Sequence, residues 1–355
     1  MTDRYRHTDL QACARALFAN AGVEPVIAAA MADILVDADL LGYDTHGLAF
    51  APPYVAGIEA GRTACAGEPE VLGDRGGALR LDGRGLPGQW ATLWALERAC
   101  ERVGQHGIVA VTLRGVQNIS CLATYVKRAA ERGLLGILTA SAPGGTPVAP
   151  HGGRAGRMST NPFAVGIPTD GHPVLIDTSS AASSNRQAER HRRAGTRLPH
   201  PAFVTAAGAP SDDPEAFLGD PPGAILPGGG VAFGHKGFAM GLTVEALTSG
   251  LIGWGRADKA AGAAVGGGNN VYLQVIDPEA FGGLAALQRE AGFLARSCRE
   301  APPLAGGPPV RVPGDRALAL YAKQVAEGVT LHPEIMPRLA PLLAKYEVPP
   351  PAPLA

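Results

Sequence analysis

Residues 42–54 read Gly42-Tyr43-Asp44-Thr45-His46-Gly47-Leu48-Ala49-Phe50-Ala51-Pro52-Pro53-Tyr54. The stretch follows a helical pattern and sets a histidine just past the helix end, before a proline-rich turn. The helix is read over 25–42, where Met31, Ile34, Leu35, Ala38 and Leu41 repeat at the i, i+3, i+4, i+7 spacing of one buried face. Pro25 falls in its first turn, where a missing N–H costs little. A lone histidine near a helix end is usually structural. Here Asp44, Thr45 and Gly47 flank it, and an imidazole titrates near neutral pH, so it suits proton transfer.

Working outward, a first helix covers 8–21 and another 88–104, with Trp90, Trp94 and Leu96. Alternating units follow. Gly107–Leu113 is a β-rich run and reads as a strand. A helix over 119–132 ends near Gly133, and Leu134–Ala140 is a second strand. Residues 163–168, 174–177 and 271–276 read as further strands. Strands alternating with helices predict an α/β class. Residues 183–222 are polar and rich in arginine and proline, and read as a long surface excursion. A small-residue helix covers 237–252, a proline-rich link 302–313, and terminal helices 315–328 and 333–346.

The bulk numbers narrow the function classes. A chain of 355 residues buries a large core and suggests about two domains. Charged residues are 18% and the formal net charge is −1, which argues against nucleic acid as the main partner. The five cysteines (Cys13, Cys65, Cys100, Cys121 and Cys298) are scattered without CxxC spacing. That pattern speaks against a disulfide framework or a metal site, and for a reducing compartment. No apolar stretch follows the polar start Met1–Arg6, and no run of about 18 apolar residues occurs, so neither a signal peptide nor a membrane span is expected. The expected location is the cytoplasm.

Other segments carry chemistry. Ser159-Thr160-Asn161-Pro162 reads plainly as a polar turn fixed by proline. Asp177-Thr178-Ser179-Ser180-Ala181-Ala182 follows a strand, and its hydroxyls and amides suit a phosphate or ribose; its plainer reading is a capped helix start. Gly234-His235-Lys236-Gly237-Phe238 opens the helix at 237, where backbone amides and a lysine suit a phosphate. No Gly-x-Gly-x-x-Gly follows the first strand, so a Rossmann reading has no support.

In this order, these segments resemble the malate/L-lactate dehydrogenase family, the non-Rossmann group that includes sulfolactate and ureidoglycolate dehydrogenases, diketogulonate reductase and piperideine-carboxylate reductase. Residues 42–54 resemble its Gly-x-Asp-Ser-His-Gly-x-x-Arg-x-Pro-x-Tyr signature. Gly234–Phe238 resembles Gly-His-Lys-Gly-Tyr, Ser159–Pro162 its Gly-Thr-Asn-Pro turn, and Asp177–Ala182 its Asp-Met-Ala-Thr-Ser stretch. Ile276–Phe281 and Val312–Arg316 resemble its Ile-Asp-Pro-Glu-Ala-Phe and Val-Pro-Gly-Glu runs. The resemblance implies a non-Rossmann α/β fold with a central mixed sheet and helices from both termini packed together. It implies three regions: 1–74 with the substrate-side motif, 75–304 binding the cofactor, and 305–355 returning onto the first. It also implies a homodimer using NADPH or NADH on a small molecule. The catalytic candidates are His46, Thr45 and Asn118, with Phe50 and Tyr54 at the substrate. The cofactor candidates are Ser141, Thr160, Asn161, Asp177, Thr178, Ser179, His235, Lys236, Gly314 and Asp315.

Two departures bear on activity. The family arginine that grips the substrate carboxylate aligns with Phe50, which cannot make a two-pronged ionic contact. A second family histidine aligns with Asn118, which hydrogen-bonds but shuttles no proton. Gln187 also stands where many members have lysine. The expectation is an NAD(P)-dependent ketone or imine reductase with an atypical substrate, and poor use of simple 2-oxo acids. Should another group supply the carboxylate contact, an arginine from 186–197 is the first suspect. The cluster Arg186, Arg190, Arg192, Arg193 and Arg197 has two readings, a 2′-phosphate contact or a solvated loop, and the second is favoured. The alternative for the whole chain is a scaffold without redox turnover that performs a non-redox step or binds a ligand.

Overall fold

A seven-stranded sheet runs through the molecule. In chain order its strands are β1 Glu70–Asp74, β2 Ala78–Asp82, β3 Ile108–Val116, β4 Leu135–Ser141, β5 Pro162–Ile167, β6 Val174–Ser179 and β7 Asn269–Ile276. They lie in the order β1-β2-β3-β7-β4-β5-β6. The β2–β3 pair is parallel and the other neighbours are antiparallel. The sheet is therefore mixed and has no Rossmann order. The computed structural model describes residues 3–262 and 268–354. The alternation of strands and helices signalled an α/β class, but it could not reveal that β7 arrives late in the chain and inserts between β3 and β4. Pairing partners so distant in sequence leave no local trace.

The helices that matter for the site are α1 His7–Asn20, α2 Pro25–Leu40, α3 Ala51–Glu59, α4 Gly88–His106, α5 Ala123–Glu131, α6 Asn185–Ala194 and α7 Gly230–Glu245. Three more follow: α8 Leu284–Glu300, α9 Asp315–Glu327 and α10 Ile335–Lys345. Helix α2 is buried nearly all round: Ile27, Met31, Ile34, Leu35 and Val36 lie in the main core with Val109, Val111 and Leu113 of β3. A helix apolar on every side sits inside a large core. The termini meet on it. Arg4 and Tyr5 pair with Thr330 and Val329, and Gln324 Nε2 donates to the carbonyls of Asp39 (2.9 Å) and Leu40 (3.0 Å). The β1–β2 hairpin straddles the 74/75 boundary drawn from the sequence.

Several local expectations are corrected. Pro52 and Pro53 do not make a turn; they lie in the first turn of α3, where their fixed φ is already helical. The helix drawn over 119–132 begins only at Ala123, because Ser120 takes a left-handed φ of 66°. The excursion at 183–222 is folded. Ser184 Oγ caps α6 by accepting from Gln187 N (3.1 Å), and left-handed Gly195 ends it. A three-stranded sheet of Phe203–Val204, Pro210–Ser211 and Ala224–Ile225 follows. Val148, Ala188, Leu198, Phe203 and Ile225 give this region its own small core. Among the described residues, no helix is long and apolar enough to cross a membrane, and no group of three or more His, Cys, Asp or Glu could hold a metal ion.

Candidate active site

The end of α2 hands the chain to a tight loop that holds His46. Leu48 N donates to the buried Asp39 carboxylate at Oδ2 (2.8 Å), and the Ser120 hydroxyl donates to the His46 carbonyl. Gly47 permits this: a Cβ there would come within 2.2 Å of Asp39 Oδ1. Burial pushes the Asp39 carboxyl up to about 8; the Leu48 N–H opposes this and the Asp44 charge adds to it. Asp39 is thus mostly protonated at neutral pH, which suits a carboxyl in an apolar core.

The His46 ring is half-buried, with Nδ1 2.8 Å from Thr45 Oγ1. Burial lowers its pKa to about 4; Arg186 adds to this, Asp44 opposes it and Arg190 adds again. The ring is therefore neutral near pH 7. Thr45 can donate to Nδ1, leaving an N–H at Nε2, or accept from Nδ1–H, leaving a lone pair there. One pair of side chains can thus serve as hydrogen-bond donor or as base.

Phe50 and Tyr54 sit one turn apart on the short helical stretch after the loop. Their ring centroids are 5.5 Å apart and stacked, and Phe50 lies 5.6 Å from the His46 ring. Tyr54 donates to Asn118 Oδ1 (2.9 Å), which also accepts from Ser120 N (2.9 Å). These two bonds use up the Asn118 carbonyl. Its Nδ2 has no partner among the described residues, and the residue is exposed, so it offers an N–H donor. Burial pushes the Tyr54 hydroxyl well above its ordinary pKa, with Gln89 and Arg186 acting against this, so it remains a donor. His46, Thr45, Phe50, Tyr54 and Asn118 are thus brought together as expected from the sequence.

Helix α6, which the sequence reading missed, carries arginines that the reading had singled out. Arg186, Arg190 and Arg193 recur at helical spacing on the face turned to the His46 loop. Arg186 lies with its guanidinium 4.6 Å over the Phe50 ring, and Arg190 pairs with Asp44 (3.0 Å). Arg193 pairs with Glu334 (3.0 Å). Arg192 turns the other way, to Glu215, and Arg197 lies beyond the helix on Asp212 and Asp213. The solvated-loop reading is corrected for Arg186 and Arg190, which lie half-buried on a helix, while Arg192, Arg193 and Arg197 are exposed to solvent. The Ser184 cap and Gly195 stop were the legible signals of a helix between them.

The cofactor candidates divide. Ser141, at the end of β4, is buried with its hydroxyl 2.7 Å from Thr248 Oγ1. Asn161, buried and left-handed (φ 45°), donates to the Gly241 carbonyl (3.0 Å) and to Glu245 (3.1 Å), tying β5 to α7. Asp177 accepts from Ala123 N (2.8 Å) at the start of α5, and burial raises its pKa to about 6 despite that bond. Ser179 Oγ donates to the Thr160 carbonyl (2.8 Å). Asp315 pairs with Arg299 (2.7 Å) and accepts from Val312 N (2.9 Å). Gly314 packs on Leu175 with φ 97°, at the end of β6 remote from Ser179. These groups are engaged within the protein. Thr178, His235 and Lys236 are exposed, and Thr160 is half-buried.

His235 and Lys236 do not open a helix. Helix α7 starts at Gly230, after left-handed Gly229, so their motif lies in its second turn. Its glycines serve packing instead: a Cβ on Gly237 would meet Gly228 at 2.4 Å and the Ser180 carbonyl at 2.6 Å. That contact sets the turn carrying His235 and Lys236 against the end of β6.

Comparison with known proteins agrees with this architecture. The sequence profile of the family described as malate/L-lactate dehydrogenase matches residues 5–340. An L-lactate dehydrogenase of Cupriavidus necator is 31% identical over 96% of this chain and 97% of its own length. A Delta(1)-pyrroline-2-carboxylate reductase of Agrobacterium fabrum is 30% identical over 93% of each. Among solved structures, malate dehydrogenase from Entamoeba histolytica superposes with a TM-score of 0.92 over 99% of this chain and 100% of that one. At 23% identity it speaks for the fold alone. The delta1-piperideine-2-carboxylate reductase of Pseudomonas syringae superposes with a TM-score of 0.82 at 27% identity, over 96% and 100%. The fold and site define an oxidoreductase of small molecules. The chain belongs to the malate/L-lactate dehydrogenase family.

Proposed function

We propose that the chain transfers hydride between NADH or NADPH and a C=O or C=N group of a small molecule, with His46 handling the proton. The observation that carries this reading is the His46–Thr45 pair, a neutral imidazole whose second ring nitrogen is left for substrate. Support comes from full-length relatives named as dehydrogenases and reductases, which also weighs against a scaffold without redox turnover.

In alcohol oxidation, neutral Nε2 accepts the hydroxyl proton; in reduction the same atom returns it. Asn118 Nδ2 donates a hydrogen bond to the reacting group. An iminium substrate arrives already protonated and asks less of His46. The exposed donor set beside β6 fits a dinucleotide: an ammonium, an imidazole and hydroxyls suit a diphosphate and a ribose. Thr160, Thr178, His235 and Lys236 would hold it, and when bound it supplies the hydride. Exposed Val231, Phe233 and Leu242 on α7, with Leu251 just beyond it, support a homodimer. Five free thiols support a cytoplasmic location.

The test is a fluorescence titration with NADH and NADPH, followed by a turnover screen of 2-oxo acids, ketones and cyclic imines. Saturable binding of one cofactor and turnover of one substrate class are expected. Binding of neither cofactor would overturn the reading.

A further inference from the structure

We infer that Arg186, held over the Phe50 ring near His46, replaces the arginine of the family pattern as the carboxylate contact of this site, so that the substrate carries an acid group next to its reacting carbon. The substrate class rests on the redox reading above; the anion contact does not.

Four observations converge. The Arg186 guanidinium stacks 4.6 Å over Phe50, whose ring is in turn 5.6 Å from His46. The cation thus lies against the ring that neighbours the imidazole, near enough to lower the His46 pKa. Second, only Nη1 of Arg186 is engaged among the described residues, by Glu189 at 3.1 Å. This is an i,i+3 pair with side chains 32% and 39% exposed, a weak bond that an incoming carboxylate displaces. Nε and Nη2 keep the forked donor edge that matches a carboxylate. Third, all three arginines of this face are paired, Arg186 with Glu189, Arg190 with Asp44 and Arg193 with Glu334, but of these three only Arg186 lies over the Phe50 ring. Fourth, a narrow crevice beside Thr45 is lined by Arg186, Arg190, Arg193 and Arg338, with Glu334 its acidic lining residue. This cationic surface adjoins the His46 loop through Thr45 and Ala49 and favours anions nearby.

Phe50 then has a positive role. Where an arginine is expected from the family pattern, this chain carries the platform for an arginine from another helix. On this proposal simple 2-oxo acids become candidate substrates, against the expectation drawn from Phe50 alone. Arg186 also depresses the His46 pKa, so pairing it with a carboxylate raises that pKa and makes proton delivery easier once substrate is in place.

The test uses oxalate, a planar dianion that undergoes no hydride transfer, and its neutral analogue oxamide. Both are titrated calorimetrically into the protein with and without NADH. Wild type should bind oxalate at least about tenfold more tightly than oxamide, the scale of one charged hydrogen-bonded contact. Arg186→Ala should lose that preference, Arg186→Lys should keep part of it, and Phe50→Leu should weaken oxalate by a few fold through loss of the platform. Arg193→Ala should leave the preference intact. If Arg186→Ala fails to fold, the Lys and Leu variants decide. Wild type that does not prefer oxalate, or variants that retain the full preference, would overturn the proposal. Because no turnover is measured, failure of the redox reading would leave this result standing.

Discussion

The pH dependence of alcohol oxidation tests the role of His46 most directly. An ordinary histidine titrates near 6.5, and His46 is held to about 4 by burial and by Arg186. That difference is worth about 3.4 kcal/mol between the two protonation states, at about 1.4 kcal/mol per pKa unit. The sign follows from the chemistry. Oxidation needs the neutral ring as base, so the rate rises as pH climbs through the His46 pKa and then levels. At about pH 5 the ring would be about 90% neutral with a pKa near 4, but only about 3% neutral with a pKa near 6.5. The two cases differ roughly thirty-fold in rate. The assay is kcat/KM for oxidation of the alcohol or amine product found in the turnover screen, read by nicotinamide absorbance from about pH 5 upward. Wild type should already be near its plateau at the acid end. His46→Ala should lower turnover by about 10²–10⁴-fold, with cofactor affinity nearly unchanged. An inflection near 6.5 in wild type would refute the claim that burial and Arg186 hold the ring neutral. A full rate with an unchanged profile in His46→Ala would remove His46 from the chemistry.

Two further outcomes are expected. Lys236→Ala should weaken NAD(P)H binding by about tenfold with the fold intact by circular dichroism, since it deletes one exposed charged contact to phosphate; an unchanged fluorescence titration would take Lys236 out of the cofactor site. Asp39→Asn tests the buried carboxyl behind His46. A folded pKa of about 8 against an ordinary value of 3.8 means the folded state holds a proton that the unfolded chain releases between these values, so wild type loses stability as pH rises through that window. The stability of Asp39→Asn relative to wild type should therefore climb by about 1.4 kcal/mol per pH unit from about pH 4 toward 8 in urea unfolding, and a pH-independent difference would show Asp39 ionised in the fold.

Much of this protein was legible locally. The apolar periodicity of 25–42 marked α2, and the β-rich runs marked β3, β4 and β7, because these patterns live within a dozen residues. The segment Asp44-Thr45-His46-Gly47 marked the candidate site, and Phe50, Tyr54 and Asn118 were singled out with it. Their convergence on His46 agrees with that reading. Where local signals misled, packing had overruled them. Gly234 and Gly237 looked like the turn before a helix, but they are buried inside α7, where only a missing Cβ lets it approach Ser180 and Gly228. Asp177 and Asn161, named as cofactor candidates, bond within the protein to the start of α5 and to α7. By itself, the sequence determined α1, α2, α4, α9 and α10, most strands of the large sheet, the family and which histidine is the candidate. Only the tertiary structure decided that β7 enters mid-sheet, and that α6 crosses the His46 loop to lay Arg186 on Phe50, some 136 residues distant in the chain. No pattern at either position contains the other. The contact exists because the main core orders the His46 loop and a separate small core orders α6, and the two meet in space.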